Sequence, residues 1–257
     1  MGRPGTTNSL ASTPWQLAGT SAQCELLGAP AAIDLAQPRL GLRFAAGHSS
    51  ILGLQLGNTL VDLSLTPGAL AGDGAPIDPS ESYVRGADLV ATYNETPSRP
   101  LRVQAYWHIA PLAQLPRYDD ARLIELQVSI NTSLLDLRPT LDVVTQTTAP
   151  VQRLTFGEAS AFLIRFADAP YTYIEIPHPR DCARTAYAPG NNPAANGRTP
   201  AAAGTTLIHH TLFGRRLEKG VIMRGRVRGA LVPRNSDVAA AEALADDLLQ
   251  AAPPLTT

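Results

Sequence analysis

Lysine is almost absent from this sequence, and the charge balance is close to neutral. Lys219 is the only lysine, and 21 Lys and Arg residues face 22 Asp and Glu residues, so the formal net charge is −1. A balanced charge produces no long-range field that would draw the protein to nucleic acid or to an anionic membrane. We therefore predict neither partner. The arginine bias, together with abundant Ala and Pro, indicates a GC-rich, bacterial-like coding composition and carries no functional weight.

Cysteines and long apolar runs are also scarce. Cys24 and Cys182 are the only two cysteines, and their wide separation neither requires nor excludes a disulfide. No run approaches the roughly 18 apolar residues of a membrane-spanning helix. The N-terminus lacks the apolar segment of about 7 to 15 residues that a secretory signal needs. These absences predict a soluble, cytoplasmic protein, and the oligomeric state stays open.

The common catalytic motifs are missing as well. There is no Gly-x-Ser-x-Gly elbow, no phosphate-binding Gly-Lys-Ser/Thr loop, no His-Glu-x-x-His and no Cys-x-x-Cys. The absence of these motifs excludes several large enzyme classes for this protein, but not all enzymes. Glu175, His178 and Cys182 lack a recognised zinc-ligand spacing. We predict no cofactor and no metal.

The stretch from Ala121 to Thr147 is the most informative part of what is present. Apolar and polar residues alternate from Ile124 to Asn131, which is typical of a strand with one buried face and one exposed face. A second alternating run covers residues 141–146, after a break at Pro139. The pair is predicted to be a long antiparallel element in a large sheet.

The same kind of pattern extends over most of the chain. About a dozen short strands are separated by turns that contain Gly and Pro, and no alternation of strands with helices is visible. The one convincing helix covers about residues 236–250. We predict an all-β fold, a large antiparallel two-sheet β-sandwich with one C-terminal helix.

Domain organisation follows from length and composition. Residues 1–14 are predicted to form a flexible arm and residues 15–257 a single domain. Residues 177–205 are rich in Pro, Gly and Asn and are predicted to form a long loop, which is either functional or disordered.

The densest polar cluster lies where this loop begins. Alternate residues of a strand share one face, which would place two tyrosines and a carboxylate in a row that could stack a sugar ring and bind its hydroxyls. The alternative is a solvated strand end whose charges pair locally. The cluster consists of Tyr171, Tyr173, Glu175, His178, Arg180 and Asp181.

A row of arginines is the second candidate. Arg224, Arg226 and Arg228 fall on one face of a strand, about 7 Å apart, and could hold a carboxylate or phosphate such as a uronate. They could equally pair with acidic residues on a neighbouring strand. Glu218 is the carboxylate nearest to this row in sequence.

Four further residues merit attention. Arg85 shares a strand face with Tyr83, and Trp107 follows Tyr106, so both are candidate ligand-binding residues. His209 and His210 are adjacent and point to opposite faces of a strand, so at most one faces a cleft.

The long strands, the polar loop after a Tyr-rich strand and the closing strands around LFGRRLEKGVIMRGRVRG resemble the galactose mutarotase-like group of large β-sandwich domains. The resemblance covers most of the chain in architecture. That group includes sugar epimerases and accessory β-domains of polysaccharide-active enzymes. In the epimerases a histidine acid faces a glutamate base across a sugar cleft, and by position the resemblance implies His178 and Glu218 for these roles.

Three functional hypotheses follow. The leading one is a protein that binds a carbohydrate or an anionic small molecule in a cleft between the tyrosine row and the arginine row. The second is an isomerase or lyase in which His178 transfers protons together with Glu218 or Glu175. The third is a structural or protein-interaction module.

Overall fold

The alternating pattern of the sequence becomes eighteen strands and one α-helix in the part of the chain that the computed structural model describes, which is residues 14–44, 49–56, 76–112, 121–167, 169–188 and 204–251. No helix in these residues is long and apolar enough to cross a membrane.

The strands and helices have the following bounds. The first nine strands are β1 (Trp15–Ala18), β2 (Ser21–Leu26), β3 (Ala29–Asp34), β4 (Leu42–Phe44), β5 (Ser50–Gln55), β6 (Glu81–Arg85), β7 (Asp88–Tyr93), β8 (Arg102–Pro111) and β9 (Arg122–Asn131). The other nine are β10 (Asp136–Leu137), β11 (Thr140–Thr147), β12 (Val151–Phe156), β13 (Ala159–Arg165), β14 (Tyr171–Pro177), β15 (Cys182–Ala188), β16 (Thr206–Phe213), β17 (Leu217–Glu218) and β18 (Met223–Pro233). Helix α1 spans Asp237–Gln250, and short 3-10 turns lie at Pro38–Leu40 and Arg234–Ser236.

These strands form two large antiparallel sheets. The first sheet has the order β1-β2-β3-β4-β5-β11-β16-β15, and the second has the order β12-β13-β14-β18-β9-β8-β7-β6. Strands β10 and β17 form a separate two-stranded ribbon. The predicted all-β sandwich with one C-terminal helix is confirmed, and α1 ends at the predicted residue.

The segment predicted as one long loop differs in its first part. Residues 182–188 form β15, which pairs with β16 at the edge of the first sheet. Thr185 and Tyr187 supply the β-favouring side chains, but the Pro- and Gly-rich residues that follow obscured this short run. Residues 189–203 of the predicted loop, and residues 1–13 of the predicted arm, lie outside the described residues.

Inward-facing apolar side chains of both sheets form the main core. Strand β8 contributes Val103, Ala105, Trp107 and Ile109, and β9 contributes its Ile124–Ile130 alternation. A second, smaller core lies on the outer face of the second sheet, where α1 packs its apolar stripe against Ile174, Ile176, Ala230 and Val232. Helix α1 therefore covers one half of that outer face.

The start of α1 is fixed to the sheet by one buried carboxylate. Asp237 accepts hydrogen bonds from Arg165 Nε at 2.8 Å and from Thr172 Oγ1 at 2.9 Å. Burial alone would raise the pKa of Asp237, but these partners outweigh it and lower the pKa below its ordinary value of 3.8. The negative charge also lies at the positive end of the helix dipole.

We expect Asp237→Asn to lower the free energy of unfolding at pH 7 by about 1–3 kcal/mol, because a charged hydrogen-bond acceptor is lost. A carboxylate whose folded pKa is lowered stabilises the protein above its unfolded pKa, and this contribution is lost as pH falls through the folded value. The difference between wild type and variant should therefore shrink below about pH 4. Denaturant unfolding at several pH values would measure it. Asp246→Asn, an exposed position of the same helix, should have little effect, and an equal loss there would contradict the assignment.

Candidate functional site

The outer face of the second sheet is polar where α1 does not cover it. Directly opposite residues of antiparallel strands point to the same side with Cβ atoms about 4.5–5.5 Å apart, so the register across β6, β7, β8, β9 and β18 creates three cross-strand rows. The rows are Arg85-Asp88-His108-Glu125-Arg228, Tyr83-Val90-Tyr106-Gln127-Arg226 and Glu81-Thr92-Gln104-Ser129-Arg224. We call these residues the polar face.

The first row alternates basic and acidic side chains that pair with one another. Asp88 lies 2.7 Å from His108 Nδ1 and 3.5 Å from Arg85 Nη2. Arg228 Nε donates to Glu125 Oε2 at 2.8 Å, and Arg228 also pairs with Asp247 of α1. For Arg228, the cross-strand pairing considered from the sequence is what the structure contains.

The middle row contains polar atoms that have no hydrogen-bond partner among the described residues. Gln127 is 2% exposed, and neither its amide nitrogen nor its amide oxygen has a hydrogen-bond partner. Its neighbour Arg226 is 3% exposed and donates from Nη1 to the carbonyl of Ala251, while its Nε is left unbonded 3.5 Å from Asp181 Oδ2. Buried polar groups are normally paired with protein or ordered water, so this position has unused capacity for a polar ligand.

The third row ends in the least neutralised arginine of the series. Arg224 is partly exposed, and among the described residues it has no acidic partner within the 4 Å range that defines the ion pairs of Arg226 and Arg228. Burial raises the pKa of the nearby Tyr106 hydroxyl, which donates to Gln104 Oε1 of the same strand. Within the described residues, the polar face thus has a guanidinium without an acidic partner and an unpaired amide on adjacent strands, with a tyrosine ring beside them.

The predicted site residues are divided between several places. Arg85 and the arginine row, Arg224, Arg226 and Arg228, belong to the polar face. Tyr171, Tyr173 and Glu175 do share one face of β14, as predicted, but that face points into the space between the sheets. Trp107 is also in the main core, with 0% exposure.

The two residues of the predicted acid–base pair have different neighbours. His178 follows β14 and lies with its Nδ1 3.4 Å from Asp181 Oδ2. Glu218 lies in β17, with its side chain 58% exposed and 3.6 Å from Arg216 Nε. Arg180 is exposed in the turn between β14 and β15.

Comparison with known proteins finds similar solved structures for this chain. No protein-family model matches it, and no curated protein matches it. A solved structure from Klebsiella pneumoniae, assigned as an aldose 1-epimerase, is similar over 94% of this chain and 90% of that chain, with 8% identity and a TM-score of 0.37.

A second similar structure comes from the human microbiome and is assigned as a kojibiose phosphorylase. It matches over 63% of this chain at 8% identity, with a TM-score of 0.33. This chain spans 20% of the length of that protein.

A second polar cluster lies inside the sandwich, around Glu175. Both Glu175 and His210 are 0% exposed, and His210 Nε2 lies 3.0 Å from Glu175 Oε1. The other carboxylate oxygen accepts hydrogen bonds from Tyr173 at 2.9 Å and from Thr145 at 2.5 Å. Because Thr145 and His210 belong to the first sheet and Glu175 to the second, the carboxylate links the two sheets.

The other ring nitrogen of His210, Nδ1, faces residues of the edge strand β15. Thr185 Oγ1 lies 3.0 Å from His210 Nδ1 and 3.5 Å from the sulfur of Cys182. Burial lowers the pKa of His210, but its hydrogen bonds with Cys182 and Glu175 outweigh this and raise the pKa to about 9. Among the described residues, no group of three or more His, Cys, Asp or Glu side chains could hold a metal ion.

The buried cluster escaped prediction, although the sequence carries a signal for it. His210 alternates with the apolar residues Ile208 and Leu212, which face the core, and a lone polar residue in an apolar series marks a buried polar partner. Glu175 was recognised as a candidate, but its partner is 35 residues away, and that pairing depends on the sheet order.

Space for the cluster depends on one glycine. A Cβ added at Gly229 would lie 2.4 Å from the Tyr173 hydroxyl and 2.9 Å from the carbonyl oxygen of Ile124. The tyrosine can therefore reach Glu175 only because residue 229 has no side chain.

We expect Gly229→Ala to destabilise the protein by about 1–3 kcal/mol, as overpacking in a core does. Gly225→Ala is a matched control on the same strand, since its Cβ would meet side-chain carbons of Phe213 and Leu212 at 3.2–3.3 Å, and these can shift. Chemical denaturation of both variants would measure the difference. Equal effects of the two substitutions would show that Tyr173 is not held in this way.

Proposed function

We propose that this protein binds a carbohydrate or a similar polar small molecule on the polar face. The observation that carries the proposal is the buried amide of Gln127, whose two polar atoms have no hydrogen-bond partner in the described part of the chain. An unsatisfied buried amide costs about 1–3 kcal/mol. A hydroxyl group can both donate and accept hydrogen bonds, so a vicinal pair of sugar hydroxyls would satisfy the two ends of the amide together.

The neighbours of Gln127 suit the same class of ligand. Tyr106 lies directly opposite it on β8, and Tyr83 lies in the same row on β6. Both tyrosines are partly exposed, and aromatic rings beside hydrogen-bonding groups can pack on the apolar faces of a sugar ring.

The charges of the polar face favour an acidic sugar over a neutral one. Arg228 and Arg226 are already paired with Glu125 and Asp181. Arg224 retains a guanidinium that can hold a carboxylate in two parallel hydrogen bonds. We infer a hexuronate or a related sugar acid as the preferred ligand.

A thermal-shift screen tests this proposal. The purified protein would be heated with neutral hexoses, hexuronates and hexose phosphates in turn. A ligand at 100 times its Kd adds about 2.7 kcal/mol of stability, which raises Tm by about 5–10 °C in a domain of this size. We expect the largest shift with a hexuronate.

Two variants locate the site. Gln127→Leu replaces the unpaired amide with an apolar group of similar size, so Tm without ligand should be unchanged or higher while the ligand-induced shift disappears. Arg224→Ala should remove the preference for hexuronate over hexose and keep the residual shift. Gln152→Leu on β12 and Arg43→Ala on β4 make the same chemical changes at exposed positions and should behave as wild type. A full shift in Gln127→Leu, or no shift with any compound, would refute binding at the polar face.

A further inference from the structure

Cys182 is a sulfur at the edge of the sandwich that the proposed binding function does not use. It is the first residue of β15, the edge strand of the first sheet, and its side chain is partly exposed while contacting the main core. The thiol donates to the carbonyl of Arg184 at 3.0 Å, and it lies within hydrogen-bonding reach of Thr185 and His210.

A continuous series of polar groups runs inward from this sulfur. Cys182 lies within hydrogen-bonding distance of Thr185, Thr185 of His210 and His210 of Glu175, and Glu175 is held by Tyr173 and Thr145. In this order a nucleophile is followed by a histidine and then by a carboxylate that orients the imidazole ring. The series therefore has the arrangement that activates a cysteine.

The charge state of the series favours an ionised sulfur. Burial raises the pKa of the Cys182 thiol, but hydrogen bonds from His210 and Thr185 outweigh it and lower the pKa below the ordinary cysteine value. The charged groups that face the sulfur are His210 of β16 and, behind it, Glu175 of β14. Asp181, the preceding residue, is paired with Arg226 at 3.5 Å and with His178 at 3.4 Å.

The second cysteine provides an internal contrast. Cys24 is buried in β2, and burial raises the pKa of its thiol to about 12. Both cysteines are free, so the chain contains two thiols with opposite shifts of the pKa and different burial.

We propose that Cys182 is a nucleophilic modification site that forms a mixed disulfide with a small anionic disulfide. The Cys182 thiolate attacks one sulfur of the reagent, a protein–S–S–R bond forms, the reagent's own S–S bond breaks, and the released thiolate takes a proton from water. The electrons balance, because the disulfide itself is the oxidant. The anionic class follows from Arg180 and Arg184, which are exposed on either side of Cys182 in the chain. His210 and Glu175 are positioning residues in this reaction.

The first test compares the two cysteines in the unmodified, folded protein. Iodoacetamide would be added at pH 7 and the products followed by peptide mass spectrometry. We expect Cys182 to react at least about tenfold faster than Cys24, and its rate to reach half-maximum below the pH of about 8.5 that is typical of a free thiol. Equal rates at the two cysteines, or a half-maximum at the free-thiol value, would overturn the proposal.

The second test addresses the reagent. Oxidised glutathione carries carboxylates, and cystamine is a cationic disulfide of simpler structure. We expect the mixed disulfide at Cys182 to form faster with oxidised glutathione than with cystamine. Cys182→Ser should give no product, and Cys24→Ser should react at the wild-type rate. A faster reaction with cystamine would refute the anionic class.

The third test separates positioning from folding. His210→Gln and Glu175→Gln should shift the pH–rate profile of Cys182 alkylation upward, a readout that a purely structural role would not change. Circular dichroism would reveal whether these buried substitutions prevent folding. Thr185→Val is a milder change at the sheet edge that replaces them in that case, and it should shift the pH–rate profile in the same direction. An unchanged profile in the folded variants would overturn the role assigned to His210 and Glu175.

Discussion

The register of β6, β7, β8, β9 and β18 is the constraint on which the rest of the structure depends. Side chains alternate between the two faces of a strand, so a slip of one residue in any pair would move its apolar residues to the outside and its polar residues into the core. The inner face carries Trp107 and the Ile124–Ile130 series, and burial of this face fixes the register. The order of charged and amide side chains on the outer face is a consequence of this register. Stabilisation of the core thus positions Tyr106, Gln127 and Arg226 side by side without any requirement from a ligand.

The Glu175–His210 pair is the exception on an inner face that is otherwise apolar. Transferring two charges out of water costs several kcal/mol per ion, and replacing a buried ion pair with apolar groups is often neutral or stabilising. Here Glu175 accepts hydrogen bonds from Tyr173, Thr145 and His210, which offsets part of that cost. Stability alone gives no reason for such a pair. A role in orienting His210 toward the sulfur of Cys182 gives one, because Glu175 holds the Nε2 side of the ring at 3.0 Å.

The sequence predicted the strands and the shared faces well, but not which face of each strand is inside. Alternation placed Tyr171, Tyr173 and Glu175 together and placed the three arginines together, and both groupings are present. Strand β14, however, is buried on both sides, because α1 covers Ile174 and Ile176 while the first sheet covers Tyr173 and Glu175. A strand buried on both sides has no wet face for the pattern to reveal. Pairings such as Arg228 with Glu125, which are 103 residues apart, depend on the order of strands in the sheet, and local periodicity contains no information about that order.

The turn between β14 and β15 connects the two polar regions. It carries the chain from the second sheet to the first, and within it Asp181 pairs with Arg226 on the polar face while the next residue, Cys182, reaches His210 in the interior. A substitution at Arg226 would release the Asp181 carboxylate beside the sulfur, and a nearby negative charge opposes ionisation of a thiol. Arg226 is therefore a poor position for testing ligand binding by itself, although it lies at the centre of the arginine row. Gln127 and Thr185 lie on strands outside this turn, and for that reason changes at these two residues can distinguish binding on the outer face from chemistry at the edge.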